Sequence, residues 1–149
     1  AYVLMQCYSN IDEPEKVWGL LQTCRKMNLQ DELYCDTYNY LAWTIHRNRF
    51  YKKDKYAFLK NSIDENEMYA NKLLDSSSLK IKKDAQINTF FGANYEKEKM
   101  PSVWHYKSIL YTYQLNIESG AHYYEKLKST PYFPANNFAT FLNFPISNR

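Results

Sequence analysis

The stretch 35-CDTYNYLAWTIHRNRF-50 decides the fold class, because its apolar side chains recur with the period of an α-helix. Tyr34, just before the stretch, and Tyr38, Leu41, Ala42 and Ile45 within it recur at helical spacing, so a helix places them on one face. The stretch is long enough for about four helical turns. It ends in basic and aromatic residues, which raises the question of whether this helix only packs or also binds a ligand.

Helical patterns continue on both sides of that stretch. The turn before Pro14 predicts a helix start, since proline suits the first helical turn. The acidic run 64-DENE-67 predicts another, because carboxylates are favourable at a helix N-terminus. The expected helices cover residues 1–9, 14–27, 35–50, 53–63, 65–75, 84–94, 101–117 and 120–128, with breaks at the serines 76–78 and in a charged linker over 95–100.

The clearest helix of the second half is expected to start at Pro101. Its apolar side chains recur at alternating intervals of three and four residues, so they form one stripe that we expect to be buried. The stripe consists of Val103, Tyr106, Leu110, Tyr113 and Ile117.

Composition agrees with an all-α fold. The 149 residues suit one compact unit, and three Gly with five Pro leave little turn chemistry for a many-stranded β fold. We expect antiparallel helical hairpins over residues 1–130, stacked as a short, irregular α-solenoid, followed by an extended C-terminal tail over 131–149. Because the first segment already has the pattern of a helix interior, we expect the chain to be a processed product or a fragment of a longer protein.

Charge and cysteine content narrow the function classes. The net charge of +3 permits contact with nucleic acid but is far below that of a polycationic binder. No apolar run approaches the roughly 20 residues that a transmembrane helix needs. Three cysteines without a C-x-x-C pair support neither a disulfide framework nor a zinc knuckle, so we interpret them as buried thiols in a reducing compartment.

The segment 15-EKVWGLLQTCRKMNLQDELYCDTYNYLAWTIHRN-48 resembles pentatricopeptide repeat proteins. It has a second helix of the form K-V-x-x-L-L-x-x-x-x-K-M, a turn, and then T-Y-N at the start of the next first helix. Residues 1–10 resemble the preceding first helix, so the resemblance covers about a third of the chain. The related tetratricopeptide arrays share the hairpin geometry.

The resemblance implies RNA reading by one base per repeat, through a polar residue near the start of the first helix and another at the end of the repeat. Asn39 matches the first position. Tyr34 departs from the small polar residue expected at the second, which weakens base readout. Asn88 is a second candidate reader, but it lies 49 residues after Asn39, more than one repeat of about 35 residues.

The basic segment 46-HRNRFYKKDK-55 is a candidate site for RNA phosphates, with aromatic residues that can stack on a base. The alternative is a solvated turn between helices, because the helix dipole alone favours cations at a C-terminus. Together with Asn39, the predicted RNA-binding residues are Arg47, Arg49, Lys52, Lys53 and Lys55.

Catalytic and metal-binding motifs are not evident in the sequence. His46, His105 and His122 are scattered without a second ligand three or four residues away. No nucleophile elbow, Gly-rich phosphate loop or Cys–His pairing occurs. We therefore expect no catalytic site, no metal and no cofactor.

The tail 131-PYFPANNFATFLNFPISN-148 carries no charged residue, and its prolines forbid a long helix. Two interpretations remain open: an internal strap over the helices, or an arm that docks on a neighbouring subunit. The predicted partner-binding residues are Phe133, Phe138, Phe141 and Phe144.

These patterns predict a non-catalytic interaction subunit of a large assembly. Because pentatricopeptide proteins belong mainly to mitochondria and plastids, the resemblance implies an organellar location, most simply mitochondrial. The leading hypothesis is a ribonucleoprotein such as a mitochondrial ribosome, in which the chain contacts RNA backbone and neighbouring proteins. The alternative is a protein-binding accessory subunit of a mitochondrial respiratory membrane complex.

Overall fold

Helices account for the regular structure in the part of the chain that the computed structural model describes, residues 1–28, 35–51, 53–87 and 92–131, and no strand occurs in these ranges. The all-α prediction is therefore confirmed for these residues. Within the same ranges the helices are α1 (Tyr2–Asn10), α2 (Pro14–Lys26), α3 (Cys35–Arg47), α4 (Ile63–Ile87), α5 (Gly92–Tyr113) and α6 (Ile117–Lys128), and a 3-10 turn lies at Asp54–Tyr56.

The chain divides into two compact units, Ala1–Lys80 and Ile81–Arg149. In the first unit, α1 and α2 pack against each other across a short turn, and both contact α3. The expected stripe of α3 is confirmed for Tyr38, Leu41, Ala42 and Ile45, which are all buried, and Tyr34 lies outside the described residues. Its packing, rather than helix propensity alone, holds a helix of this length in place.

The first half of α4 contributes to the first unit through a mixture of apolar and polar contacts. Trp18 packs edge-on against Tyr69, with ring centroids 5.4 Å apart. Arg25 donates a hydrogen bond to the Tyr69 hydroxyl at 3.1 Å. Leu73 and Leu74 are fully buried and complete this side of the core.

The expected break at the serines 76–78 is wrong, because α4 continues through them to Ile87. Two of these hydroxyls bond to backbone carbonyls: Ser76 donates to the Lys72 oxygen within the helix, and Ser77 donates to the Cys35 oxygen. Serine lowers helix propensity by only about 0.5 kcal/mol, so the apolar residues on either side outweigh it.

The helix expected over 53–63 is also absent, and only the 3-10 turn at Asp54–Tyr56 forms there. Ser62 and Glu65 form a capping box: the Ser62 hydroxyl accepts from the Glu65 backbone N–H, and the Glu65 carboxylate accepts from the Ser62 N–H. This box fixes the start of α4 at Ile63. The chain before it therefore cannot continue the same helix.

The charged linker expected over 95–100 is wrong as well, since α5 starts at Gly92 and runs through Pro101. Proline removes one intrahelical hydrogen bond. However, Met100, Pro101 and Val103 are all buried, so packing outweighs that loss. The short helix expected over 84–94 is instead divided between the end of α4 and the start of α5, with 88–91 outside the described residues.

The stripe predicted on α5 is only partly buried. Val103 and Leu110 lie in the core, whereas Tyr106 and Tyr113 are half-buried. Ile117 is 60% exposed, which corrects the prediction. The chain leaves the helix after Tyr113, and Leu115 takes a left-handed φ of 61°, so the helical period is interrupted before Ile117.

In the second unit, α5 and α6 pack as an antiparallel pair around Gly120. A Cβ at this position would lie 2.5 Å from Thr112 Oγ1 and 3.3 Å from the Ser108 carbonyl oxygen. The Ser108 hydroxyl donates to the Gly120 carbonyl at 2.8 Å, which links a side chain of α5 to the backbone of α6. Glycine therefore permits the close approach of the two helices.

Gly19 and Gly120 should respond oppositely to alanine. We expect Gly120→Ala to destabilise the protein by about 1–3 kcal/mol through overpacking. Gly19→Ala on α2 should stabilise it by about 0.5–1 kcal/mol, because nothing lies within 4 Å of the added Cβ and alanine is the better helix former. Urea titrations followed by circular dichroism measure both. Equal effects of the two variants would contradict the close approach at Gly120.

Candidate functional site

The basic segment predicted to bind RNA extends from the end of α3 into the connection to α4. Its cations are largely engaged by carboxylates of the first unit, in two clusters. The Asp12 cluster consists of Asp12, Tyr40, Arg47, Lys55 and Tyr56. The Glu67 cluster consists of Glu67, His46, Arg49 and Asp64.

Asp12 lies in the turn between α1 and α2 and accepts four side-chain donors. Its Oδ1 is 3.0 Å from both the Tyr40 hydroxyl and Arg47 Nη2. Its Oδ2 is 2.6 Å from the Tyr56 hydroxyl and 2.8 Å from Lys55 Nζ. The carboxylate thereby joins the α1–α2 turn, α3 and the 3-10 turn.

The backbone at Asp12 explains why this residue type occurs there. Its φ is 57°, in the left-handed region that Asp and Asn tolerate better than other non-glycine residues. Burial by itself would raise the pKa of Asp12. The hydrogen bonds from Lys55, Tyr56 and Tyr40 and the charge of Arg47 overcome that effect and hold the pKa far below its ordinary value.

The pKa values of two tyrosine partners of Asp12 shift in the opposite direction, upward. Burial and the neighbouring carboxylate raise the pKa of Tyr40, and burial with the hydrogen bond to Asp12 raises that of Tyr56. Both phenols therefore stay protonated as donors. The Arg47 guanidinium lies 4.6 Å from the centroid of the Tyr56 ring, which adds a cation–π contact.

The Glu67 cluster lies deeper in the first unit. The side chains of Glu67 and His46 have no solvent exposure, and Glu67 Oε1 is 2.9 Å from His46 Nδ1. Arg49 Nε donates to the same oxygen at 2.7 Å, and Arg49 Nη2 donates to Oε2 at 3.0 Å. Phe50 packs edge-on against the His46 ring.

Electrostatics favour the charged form of Glu67. Burial would raise its pKa, but the hydrogen bonds from His46 and Arg49 lower it below its ordinary value. The hydrogen bond between Glu67 and Arg49 also raises the pKa of the Arg49 guanidinium. The carboxylate is thus a buried anion with two polar partners, a combination in which removal of one partner is costly.

Asn39, the candidate base reader, lies in the first half of α3 with only 8% of its surface exposed. A base could hydrogen-bond to its amide only if neighbouring elements moved away. Base reading by this residue stays a prediction. The other candidate reader, Asn88, and the neighbouring repeat position, Tyr34, lie outside the described residues.

Among the described residues predicted to contact phosphate, Lys53 differs from Arg47, Arg49 and Lys55 in its environment. Arg47, Arg49 and Lys55 each meet a carboxylate, whereas the Lys53 side chain is exposed. Lys52 lies outside the described residues, so phosphate binding by the segment as a whole stays a prediction.

An open cleft of about 330 Å³ lies beside this part of the segment. Arg49 and Lys53 line it, but so does Asp54. The cleft therefore presents both signs of charge, which is a weaker attraction for phosphate than a purely basic lining.

The three histidines differ in burial and in their surroundings. His46 is buried in the Glu67 cluster, and His122 is exposed on α6. His105 is buried in α5, where burial lowers its pKa to about 4. Within the described ranges, no group of three or more His, Cys, Asp or Glu side chains is placed to hold a metal ion.

The prediction that all three cysteines are buried is only partly correct. Cys24 and Cys35 are buried, as expected, but Cys7 is exposed on α1 and corrects that expectation.

The predicted partner-binding residues of the tail lie outside the described residues. They are Phe133, Phe138, Phe141 and Phe144. Their role as a strap or a docking arm stays a prediction.

The sequence did not identify Asp12 and Glu67 as partners of the basic segment. Asp12 lies 28 to 44 residues from its hydrogen-bonding side chains, a separation that no helical or turn pattern connects. The capping box at Ser62 and Glu65, by contrast, has a recognisable local signature, S-x-x-E, which predicts the start of α4.

The chain has no significant match among family models, curated proteins or solved structures. The resemblance to pentatricopeptide repeats therefore stays a prediction. None of the helices in the described ranges is both long enough and apolar enough to span a bilayer.

Proposed function

We propose that this chain is a non-catalytic interaction subunit of a larger assembly, and that it binds an apolar helix of a neighbouring protein through α1. The supporting observation is the outer face of α1. Val3 is 72% exposed, Leu4 is 45% exposed, and Ile11, directly after the helix, is 65% exposed. The exposed Cys7 lies on the same side of the helix.

The chemistry of α1 favours an apolar partner over a charged one. The helix has the sequence YVLMQCYSN, which contains no charged residue. Its other side supplies the fully buried Met5 to the core of the first unit, so the exposed face is not needed for internal packing. A second helix lying along Val3, Leu4 and Cys7 would bury these side chains as helices bury each other in repeat arrays.

The sequence suggests two assemblies, a mitochondrial ribosome-like ribonucleoprotein and a mitochondrial respiratory complex. The clusters around Asp12 and Glu67 give the basic segment a structural role, so that segment adds little support for RNA contact. We therefore propose that protein binding through α1 is the main interaction of the chain. Sensitivity to ribonuclease distinguishes the two assemblies.

The test is incorporation of the tagged full chain into a high-molecular-weight complex in the organism that encodes it, measured by sucrose-gradient sedimentation. We expect Leu4→Lys to reduce incorporation by about tenfold, because it removes apolar surface that the partner helix would bury and places a charge in the interface. Leu79→Lys is the matched control, since Leu79 is an equally apolar, 69% exposed residue on α4.

Ribonuclease treatment of the gradient sample separates the two assemblies. Release of the chain from the heavy fractions would indicate the ribonucleoprotein, and retention would indicate the protein-only complex. Sedimentation of the wild-type chain as a free monomer would refute the proposal. So would equal incorporation of the Leu4→Lys and wild-type chains.

A further inference from the structure

We propose that one face of the α5–α6 pair is a binding site for single-stranded nucleic acid. The site is a ladder of alternating rings and ammonium groups, which we call the aromatic ladder. It consists of Trp104, Lys107 and Tyr111 on α5 with Tyr123 and Lys126 on α6. The ladder belongs to the second unit, so this proposal does not depend on the function proposed for α1.

The rings and ammonium groups of the aromatic ladder lie within about 6 Å of their neighbours, close enough to contact one ligand together. Lys126 Nζ lies 5.6 Å from the ring centroids of both Trp104 and Tyr123. Lys107 Nζ lies 5.1 Å from the Tyr123 ring and 5.9 Å from the Tyr111 ring. The rings of Tyr111 and Tyr123 are nearly parallel, with centroids 5.8 Å apart and an interplanar angle of 5°.

Helix geometry explains this arrangement. On α5 the ladder residues are spaced by three and four positions, and on α6 by three, so each helix presents them along one line. The antiparallel approach at Gly120 brings the two lines side by side. Trp104 and Tyr111 are then about 10 Å apart along the α5 axis, at 1.5 Å per residue.

The ladder is accessible to a ligand at its three rings and at Lys126, whereas Lys107 is only 5% exposed and packs against the rings. Trp104, Tyr111 and Tyr123 are half-buried, which leaves ring surface open while packing holds each ring in place. Lys126 is exposed. Binding therefore requires little ordering of side chains, a cost that would otherwise reduce affinity.

The charge of Lys126 distinguishes this face from the basic segment of the first unit. Arg47, Arg49 and Lys55 meet carboxylates, which cancel much of their field. Lys126 is held over neutral rings, and its neighbour Glu125 pairs with Lys128 at 3.5 Å. The ammonium of Lys126 is consequently suited to a phosphate.

The half-buried rings and the exposed Lys126 ammonium together match the chemistry of a single strand. Aromatic side chains stack on unpaired bases, each worth about 1–3 kcal/mol, and lysines follow the phosphate backbone. Two or three open rings suit a short run of bases read without strict sequence preference. A duplex hides its base faces and would gain only the phosphate contacts.

The test is fluorescence anisotropy of labelled oligo(U) and oligo(dT) with the full chain at 50 mM and 200 mM salt. We expect binding to both single strands, with tighter binding of oligo(U) if the 2′-hydroxyl is contacted, and weaker binding of a duplex of equal length. Lys126→Gln should weaken binding several-fold and reduce the salt slope by about 1, whereas Lys126→Arg should bind like the wild type.

Lys72→Gln is the matched control, an exposed lysine on α4 outside every predicted site, and it should leave affinity unchanged. Lys53→Gln, an exposed lysine in the basic segment, should weaken binding less than Lys126→Gln does. Tyr123→Leu should weaken binding about tenfold, and Tyr123→Phe, which keeps the ring, should not.

Three results would overturn the assignment. The first is the absence of binding at 50 mM salt. The second is an equal or larger loss in Lys53→Gln than in Lys126→Gln, which would return nucleic-acid binding to the basic segment or to general attraction. The third is displacement of the oligonucleotide by a polyglutamate peptide at equal charge concentration, which would indicate an acidic protein as the ligand.

Discussion

Glu67→Ala is expected to destabilise the first unit by about 3–5 kcal/mol, the largest effect of any substitution considered for this chain. Glu67 and His46 have no solvent exposure, and Glu67 accepts hydrogen bonds from His46 and Arg49. Alanine would leave both partners buried or half-buried without that acceptor, and it would also leave a cavity. The loss is a substantial fraction of the total stability of a typical domain.

Hydrogen exchange of the α3 and α4 amides in the full chain measures this loss within the first unit. Asp64→Ala is the matched control, because Asp64 binds the same guanidinium at 3.1 Å but is 83% exposed. We expect that variant to cost less than about 1 kcal/mol. Similar losses in the two variants would show that burial of the Glu67 cluster has no energetic consequence.

Asp12→Ala is expected to cost about 2–3 kcal/mol, less than Glu67→Ala because solvent screens the Asp12 cluster in part. The substitution removes the common acceptor of Tyr40, Arg47, Lys55 and Tyr56. It also places alanine at a left-handed φ, which alone costs about 1 kcal/mol. Asp12→Asn tolerates that φ and keeps one acceptor oxygen, so its cost reports mainly the lost charge, whereas Asp12→Ala adds the backbone effect and the loss of every side-chain acceptor.

The Asp12 cluster also predicts how stability depends on pH. The pKa of Asp12 is lower in the folded protein than its ordinary value of 3.8. Its contribution is therefore fully present above that value and is lost as the pH falls through the lowered folded pKa. Glu67 changes stability in the same direction.

Urea titrations at pH 7 and pH 3 test this dependence. We expect the difference in stability between wild type and Asp12→Asn to shrink at the lower pH. A difference that stays constant or grows on acidification would contradict the charged role of Asp12.

Local patterns were sufficient to predict part of this fold. The stripe of α3 and the helix start at Pro14 depend on residues within a few positions of each other, and both are confirmed. The errors at the serines 76–78 and at Pro101 have a common cause. In both places burial of neighbouring apolar residues outweighs a weak or unfavourable local helix propensity.

The candidate sites were harder to predict, because they depend on contacts between distant parts of the chain. The basic segment has the composition of a phosphate site, but the sequence does not show that Asp12 and Glu67 reach its arginines. The aromatic ladder has a local component, the spacing of Trp104, Lys107 and Tyr111. Its other residues, Tyr123 and Lys126, lie on α6, and they come close to α5 because Gly120 permits the two helices to pack tightly.

The hydrogen bond between Asp12 and Tyr56 has a consequence for the connection between α3 and α4. The connection contains a single 3-10 turn and little other regular structure in its described residues, yet Tyr56 is buried and bonded to a residue 44 positions earlier. This contact acts as a non-covalent tether. Local opening of the connection requires the tether to break, so trypsin should reach the peptide bonds after Lys53 and Lys55 more slowly than their position in an irregular loop would imply.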